Sequence, residues 1–305
     1  NGNQTFAGSW YQVPNGWIEL QKSSANPSIS DGNGNYTLEG AKYGIYKGDK
    51  LIQTLTTDKN GYAKSKELEE GSYTVKEISA PAGFIVDATA HDVNVKPEET
   101  STVKSSDIPQ NNPISLILQK LDLETGEGKP QGNSSLANAE FTIKFYTELS
   151  DTDPATSGKK PVRTWVMKTN ASGEMHFTKD YFVSGDEFYY ASDKKTVCLP
   201  IGTVTIQETK APKNYFLNET VFVQKITGSG SQESVSIYNA SNVEEQVYRG
   251  GVKVQKRDLE TQDTVSQGNA TLAGATFSIT TLNEQPVWVN GKLYQKDEMC
   301  LTIIT

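Results

Sequence analysis

Along WIELQKSS, Trp17–Ser24, apolar and polar residues alternate, so Ile18, Leu20 and Lys22 share one face of a predicted strand. The same pattern returns in ISLILQKLD, Ile114–Asp122, with Leu116, Leu118 and Lys120, and in GVKVQKRD, Gly251–Asp258, with Val252, Val254 and Lys256. Each series puts a lysine where a third apolar residue belongs. After a loop, each copy resumes with a small-residue strand opening: LEGAKYGIY, LANAEFTIKFY and LAGATFSI. The first two copies continue through the turns TDKNGY and TNASGEM into a second strand with an odd inward residue. There Tyr73, Val75 and Glu77, or Val204, Ile206 and Glu208, share one face, before the turns APAGF and APKNY. A closing strand follows, with Val103, Ser105 and Asp107 in phase in the first copy and Val235, Ile237 and Asn239 in the second.

Short strands between turn signals over such repeats predict an all-β chain of tandem antiparallel β-sandwich domains of Ig-like form. The expected division is a lead-in over 1–16, a first domain over 17–110 and a second over 113–243. A truncated third domain spans 250–305. The interval from Lys120 to Lys256 exceeds that from Lys22 to Lys120, which places an insertion at about 147–196, a polar, turn-rich stretch. Fewer residues follow Lys256 than separate Lys22 from Glu77, so the third copy is expected to be incomplete. The links near Pro109–Pro113 and Val243–Gly250 are short and favour a rod of stacked domains.

Composition narrows the functional classes. The 305 residues are 35% hydrophobic and carry a net charge of −8, against a nucleic-acid footprint. No apolar run is long enough to insert in a membrane as a helix. Two cysteines, Cys198 and Cys300, form neither a disulfide framework nor a zinc site, and no cofactor or metal is expected.

Burying an unpaired carboxylate costs several kcal/mol, so Glu77 and Glu208 need partners on their own face. The inward lysine and the inward residue of the closing strand supply them. In an apolar interior, desolvation favours a neutral amine and a neutral carboxylic acid. A neutral amine at contact distance from an Asp or Asn carbonyl can attack it, with Glu polarising the carbonyl and relaying protons. The product is an isopeptide bond, made once per domain with no turnover.

QKLD with IQETKAPKNY, and QKRD with LAGATF, resemble CnaB-type domains, the SpaA-like pilin repeats of Gram-positive surface proteins. The resemblance runs over nearly the whole chain from Trp17. It implies a Lys120–Asn239 cross-link under Glu208 and a Lys22–Asp107 cross-link under Glu77. Asn111 and Asn112 compete as acceptors in the first copy, and Asn242, out of phase with Val235 and Ile237, in the second. Lys256 belongs to a third site lacking its other members. The implied role is a structural stalk of an extracellular, cell-wall anchored or secreted adhesin or pilin-like protein. Its partners would be neighbouring domains of the chain, with host protein or glycan bound through other regions. The alternatives are a host-ligand or glycan binding module, with 147–196 or exposed aromatics as the grip, and an accessory region of an extracellular carbohydrate-active enzyme.

Other motifs read as ordinary structure. LPIGT at Leu199–Thr203 transposes the Gly and Thr of a sorting signal, and DGNGNY at Asp31–Tyr36 has Tyr36 where a calcium loop needs glycine. His91 and His176 stand apart from any nucleophile.

Overall fold

In the computed structural model, which describes residues 14–228, 232–234 and 240–305, strand β1 spans Trp17–Ser24. It buries Ile18, Leu20 and Lys22 and exposes Gln21, as period two requires. The first domain continues with β2 (Lys42–Lys47), β3 (Lys50–Thr56), β4 (Tyr62–Lys64), β5 (Gly71–Ser79), β6 (Ala90–Val95) and β7 (Thr100–Asp107). Two sheets, β4-β1-β7 and β3-β2-β5-β6, face each other across Ile18, Leu20, Tyr43, Ile45, Val75 and Val103. Neighbouring strands are antiparallel with one exception. The first and last strands, β1 and β7, run parallel, in register from Trp17 opposite Thr100 to Ser24 opposite Asp107.

A short strand, β8 (Asn111–Pro113), leads into the second domain. This comprises β9 (Leu116–Asp122), β10 (Glu140–Tyr146), β11 (Arg163–Lys168), β12 (Glu174–His176), β13 (Phe182–Gly185), β14 (Tyr189–Tyr190), β15 (Val197–Pro200), β16 (Gly202–Lys210), β17 (Val221–Ile226) and β18 (Ser241–Glu245). Its sheets, β12-β9-β18 and β13-β11-β10-β16-β17, repeat the first domain's order with one added edge strand. β18 again pairs in parallel with the first strand, β9. The extra length of this copy falls in two places, the β10–β11 connection and the path from β12 to β16 that contains β13, β14 and β15. The second path covers one end of a core built on Trp165, whose ring meets Phe177 edge-on at 5.1 Å and Tyr189 at 6.2 Å.

In the third portion, β19 (Thr276–Thr280) pairs with β22 (Met299–Ile304), and β20 (Val287–Val289) with β21 (Lys292–Tyr294). The strand expected at Gly251–Asp258 does not form. Among the described residues nothing pairs with it, and Val252 is exposed. A lone strand has no ladder to satisfy its backbone groups except water. The loop after it is nonetheless built as in the second domain. Asp258 accepts from the backbone N–H groups of Glu260 and Thr261 and from Gln267 Nε2, as Asp122 does from Glu124, Thr125 and Gln131.

The first two domains share packing. Ile29, on the single turn of α1 (Pro27–Ser30), together with Tyr36 and Phe84, joins the second domain's core cluster. The Tyr36 hydroxyl donates to the Gln110 carbonyl at 2.6 Å and accepts from Ile201 N–H at 2.8 Å. Asn33 Nδ2 donates to the Ile201 carbonyl at 2.8 Å. Among the described residues, no helix is long and apolar enough to cross a membrane.

Truncating Trp165, which is fully buried, to alanine should destabilise the second domain by about 3–5 kcal/mol. Urea unfolding followed by near-ultraviolet circular dichroism checks this, and a change below about 1 kcal/mol would contradict the packing described.

Candidate functional site

The first site lies between the two sheets. β1 carries Lys22 inward, β5 brings Glu77 from the facing sheet, and β7 brings Asp107 to the same depth. Lys22 Nζ is 2.8 Å from Glu77 Oε1 and pairs with Asp107 Oδ2, and all three side chains are sealed from solvent. Lys22 Nζ also donates to the Tyr43 hydroxyl at 2.8 Å, which in turn donates to Ser105 Oγ at 2.9 Å. Burial draws the Lys22 ammonium down. Its hydrogen bonds to Asp107, Glu77 and Tyr43 outweigh that and hold it above the ordinary lysine value. Burial pushes the Asp107 carboxyl up to about 7, against the pull of Lys22.

The second site has the same frame and a different lining. Lys120 Nζ lies 2.6 Å from Glu208 Oε1 and pairs with Glu245 Oε1, again sealed from solvent. The aromatic ring beside the lysine is Phe141, 5.3 Å away, where the first site has Tyr43 at 5.1 Å. These rings are equivalent, since Tyr43 is registered with Glu77 and Phe141 with Glu208. Opposite each lysine on the closing strand stands Ser105 in one site and Val243 in the other. Burial draws Lys120 down to about 8 despite Glu208, and burial pushes Glu208 up.

Backbone groups fix both sites in the same way. The second oxygen of each glutamate accepts a backbone N–H ten residues on, Asp87 to Glu77 Oε2 at 2.7 Å and Asn218 to Glu208 Oε2 at 2.8 Å. The first oxygen is thereby aimed at the lysine. Each lysine's own N–H donates to the carbonyl of the turn glycine, Lys22 to Gly61 and Lys120 to Gly173, both at 2.8 Å. These glycines sit at φ 74° and 77°, with the lysine carbonyl 2.5 and 2.4 Å from where a Cβ would project.

Of the residues singled out from sequence, Lys22, Glu77 and Asp107 come together, as do Lys120 and Glu208. Asn239 lies outside the described residues. Asn242 is registered with Gln119 and exposed, away from the lysine. Asn111 and Asn112 do not reach Lys22; they pair with Pro200 and Leu199 in the β8–β15 ladder. Lys256 is exposed. Glu245, Tyr43, Phe141 and the two turn glycines were not singled out from sequence. Among the described residues no cluster of His, Cys, Asp and Glu could hold a metal ion. LPIGT joins the end of β15 to β16, and the asparagines of DGNGNY reach the second domain.

Both domains thus have two facing sheets whose first and last strands pair in parallel around a buried lysine. The model of the SpaA prealbumin-like fold domain matches residues 28–109 and 118–241, more than half of the chain, and the protein belongs to that family. The trypsin-resistant surface T6 protein of Streptococcus pyogenes serotype M6 is 40% identical over 70 residues, covering 23% of this chain and 13% of that protein. The Bacillus anthracis TIE protein matches in fold with a TM-score of 0.55 at 23% identity, over 96% of this chain and 42% of that one. BcpA, the major pilin subunit of Bacillus cereus, matches at a TM-score of 0.30 and 13% identity, over 77% of this chain and all of that one, too distant to argue from. The chain thus spans well under two thirds of the T6 and TIE proteins.

Gly173→Ala should cost about 1 kcal/mol or more in thermal unfolding, because the new Cβ meets the Lys120 carbonyl in a left-handed conformation. Gly34→Ala, with nothing within 4 Å, should stay within about 0.5 kcal/mol. Equal effects at the two positions would remove the close approach as the reason for glycine.

Proposed function

We propose that this chain is a load-bearing segment of a pilin-like or adhesin-type protein on the outside of a bacterial cell, and that its domains cross-link themselves. The observation that carries the reading is the sealed contact of Lys22 with both Glu77 and Asp107, on strands at the two ends of one domain. A proton moves from the Lys22 ammonium to a carboxylate of the cluster. The freed Nζ attacks Asp107 Cγ, Glu77 passes protons to the departing oxygen, and water leaves as the amide forms. Lys120 under Glu208 is the second such site. Each site reacts once, without turnover. Membership of the SpaA family and the short likeness to a trypsin-resistant surface protein support a role at the cell surface.

A cross-link from Lys22 to Asp107 closes a loop of nearly the whole domain, which by analogy with disulfides stabilises by about 4–5 kcal/mol. Tension entering at Trp17 passes through Lys22 to Asp107, and the residues between them are relieved of it.

Intact-mass measurement should show a loss of about 18 Da at this site, with the Lys22 and Asp107 peptides joined after digestion. Glu77→Ala should leave the two peptides separate. In single-molecule pulling, Lys22→Ala should add roughly 280 Å of extension that the parent lacks. Separate peptides in the parent, or equal extensions, would refute the reading.

A further inference from the structure

We infer that the acceptor in the second domain is Glu245, so that this domain closes through a lysine–glutamate amide and releases water. The inference rests on the cross-linking reading above and extends it to a residue type that the sequence pattern did not suggest.

Position comes first. In the first domain the acceptor Asp107 is registered with Ser24, two residues beyond Lys22 on the parallel neighbour strand. In the second, the residue registered two beyond Lys120, opposite Asp122, is Glu245. The chain beyond agrees. Pro109, two residues after Asp107, bridges Phe84 of the APAGF turn, and Val247, two residues after Glu245, bridges Tyr215 of the APKNY turn. Glu245 is therefore the positional counterpart of Asp107, and its carboxyl reaches Lys120 Nζ.

Availability comes second. Asp122 is also buried nearby, but it is fully engaged by Gln131 Nε2, the Tyr215 hydroxyl at 2.7 Å and two backbone N–H groups. Among the described residues, neither oxygen of Glu245 has a hydrogen-bond donor other than the Lys120 contact, and its side chain is 1% exposed. An ion pair held this way is costly in an apolar interior, and condensation converts it to a neutral amide.

The balance is simple. A proton leaves the ammonium for a carboxylate, Nζ attacks Glu245 Cδ, and the Cδ–O bond breaks as Glu208 delivers a proton to the departing oxygen. Ammonium and carboxylate become amide and water, and Glu208 ends as it began.

The test is exact-mass analysis and fragmentation of tryptic digests of the full chain. Asn239, Asn242 and Glu245 share one tryptic peptide, ending at Arg249, so fragmentation must place the bond. The expected product joins Lys120 to Glu245 with a loss of about 18 Da. In Glu245→Gln, ammonia leaves instead, so the linked variant and the linked parent have the same mass. Glu245→Ala should show no linked Lys120. A bond from Lys120 to Asn239 or Asn242, with a loss of about 17 Da, would overturn the assignment, as would an unlinked Lys120 beside a linked Lys22. An unlinked Lys22 beside a Lys120–Glu245 bond would sink the first-domain reading and leave this one standing.

Discussion

An ammonium enclosed with two carboxyl groups between apolar sheets is the interaction on which both complete domains depend. A lone lysine at that depth would be a large penalty, and so would a lone glutamate. Together they are tolerable only if every member is held in place. The parallel pairing of the first and last strands places Asp107 or Glu245 beside the lysine, the backbone N–H of Asp87 or Asn218 orients the glutamate, and the turn glycine anchors the lysine's backbone. Much of what looks like generic β-sandwich architecture here positions one charged cluster.

The two clusters differ in what surrounds the lysine. Tyr43 and Ser105 give Lys22 a hydroxyl partner, whereas Phe141 and Val243 give Lys120 only apolar contact. Against the downward pull of burial, hydrogen bonds to Asp107, Glu77 and then Tyr43 hold Lys22 above the ordinary lysine value, whereas burial draws Lys120 below it. One frame thus carries two different linings around the same lysine.

Period-two phase made the inward lysines and glutamates legible, because each interrupts an apolar series in two copies. The tandem sandwiches followed from the same repeats. The parallel closure was not legible, since alternation fixes a strand's face and not its neighbour or direction. From sequence Asn239 stood out, in phase with Val235 and Ile237; Val243, Glu245 and Val247 form an equally regular series, which the structure turns inward. Gly251–Asp258 shows the converse: its pattern is that of a strand, but pattern alone does not supply the neighbours that make one.

Parallel closure has a consequence of its own. Two parallel neighbours drawn apart by their opposite ends, β1 from Trp17 and β7 from Asp107, slide along each other instead of peeling. Sliding strains every rung of the ladder at once, whereas peeling opens them singly. Each of the first two domains is therefore a lap joint, and its geometry resists a pull through the ladder alone.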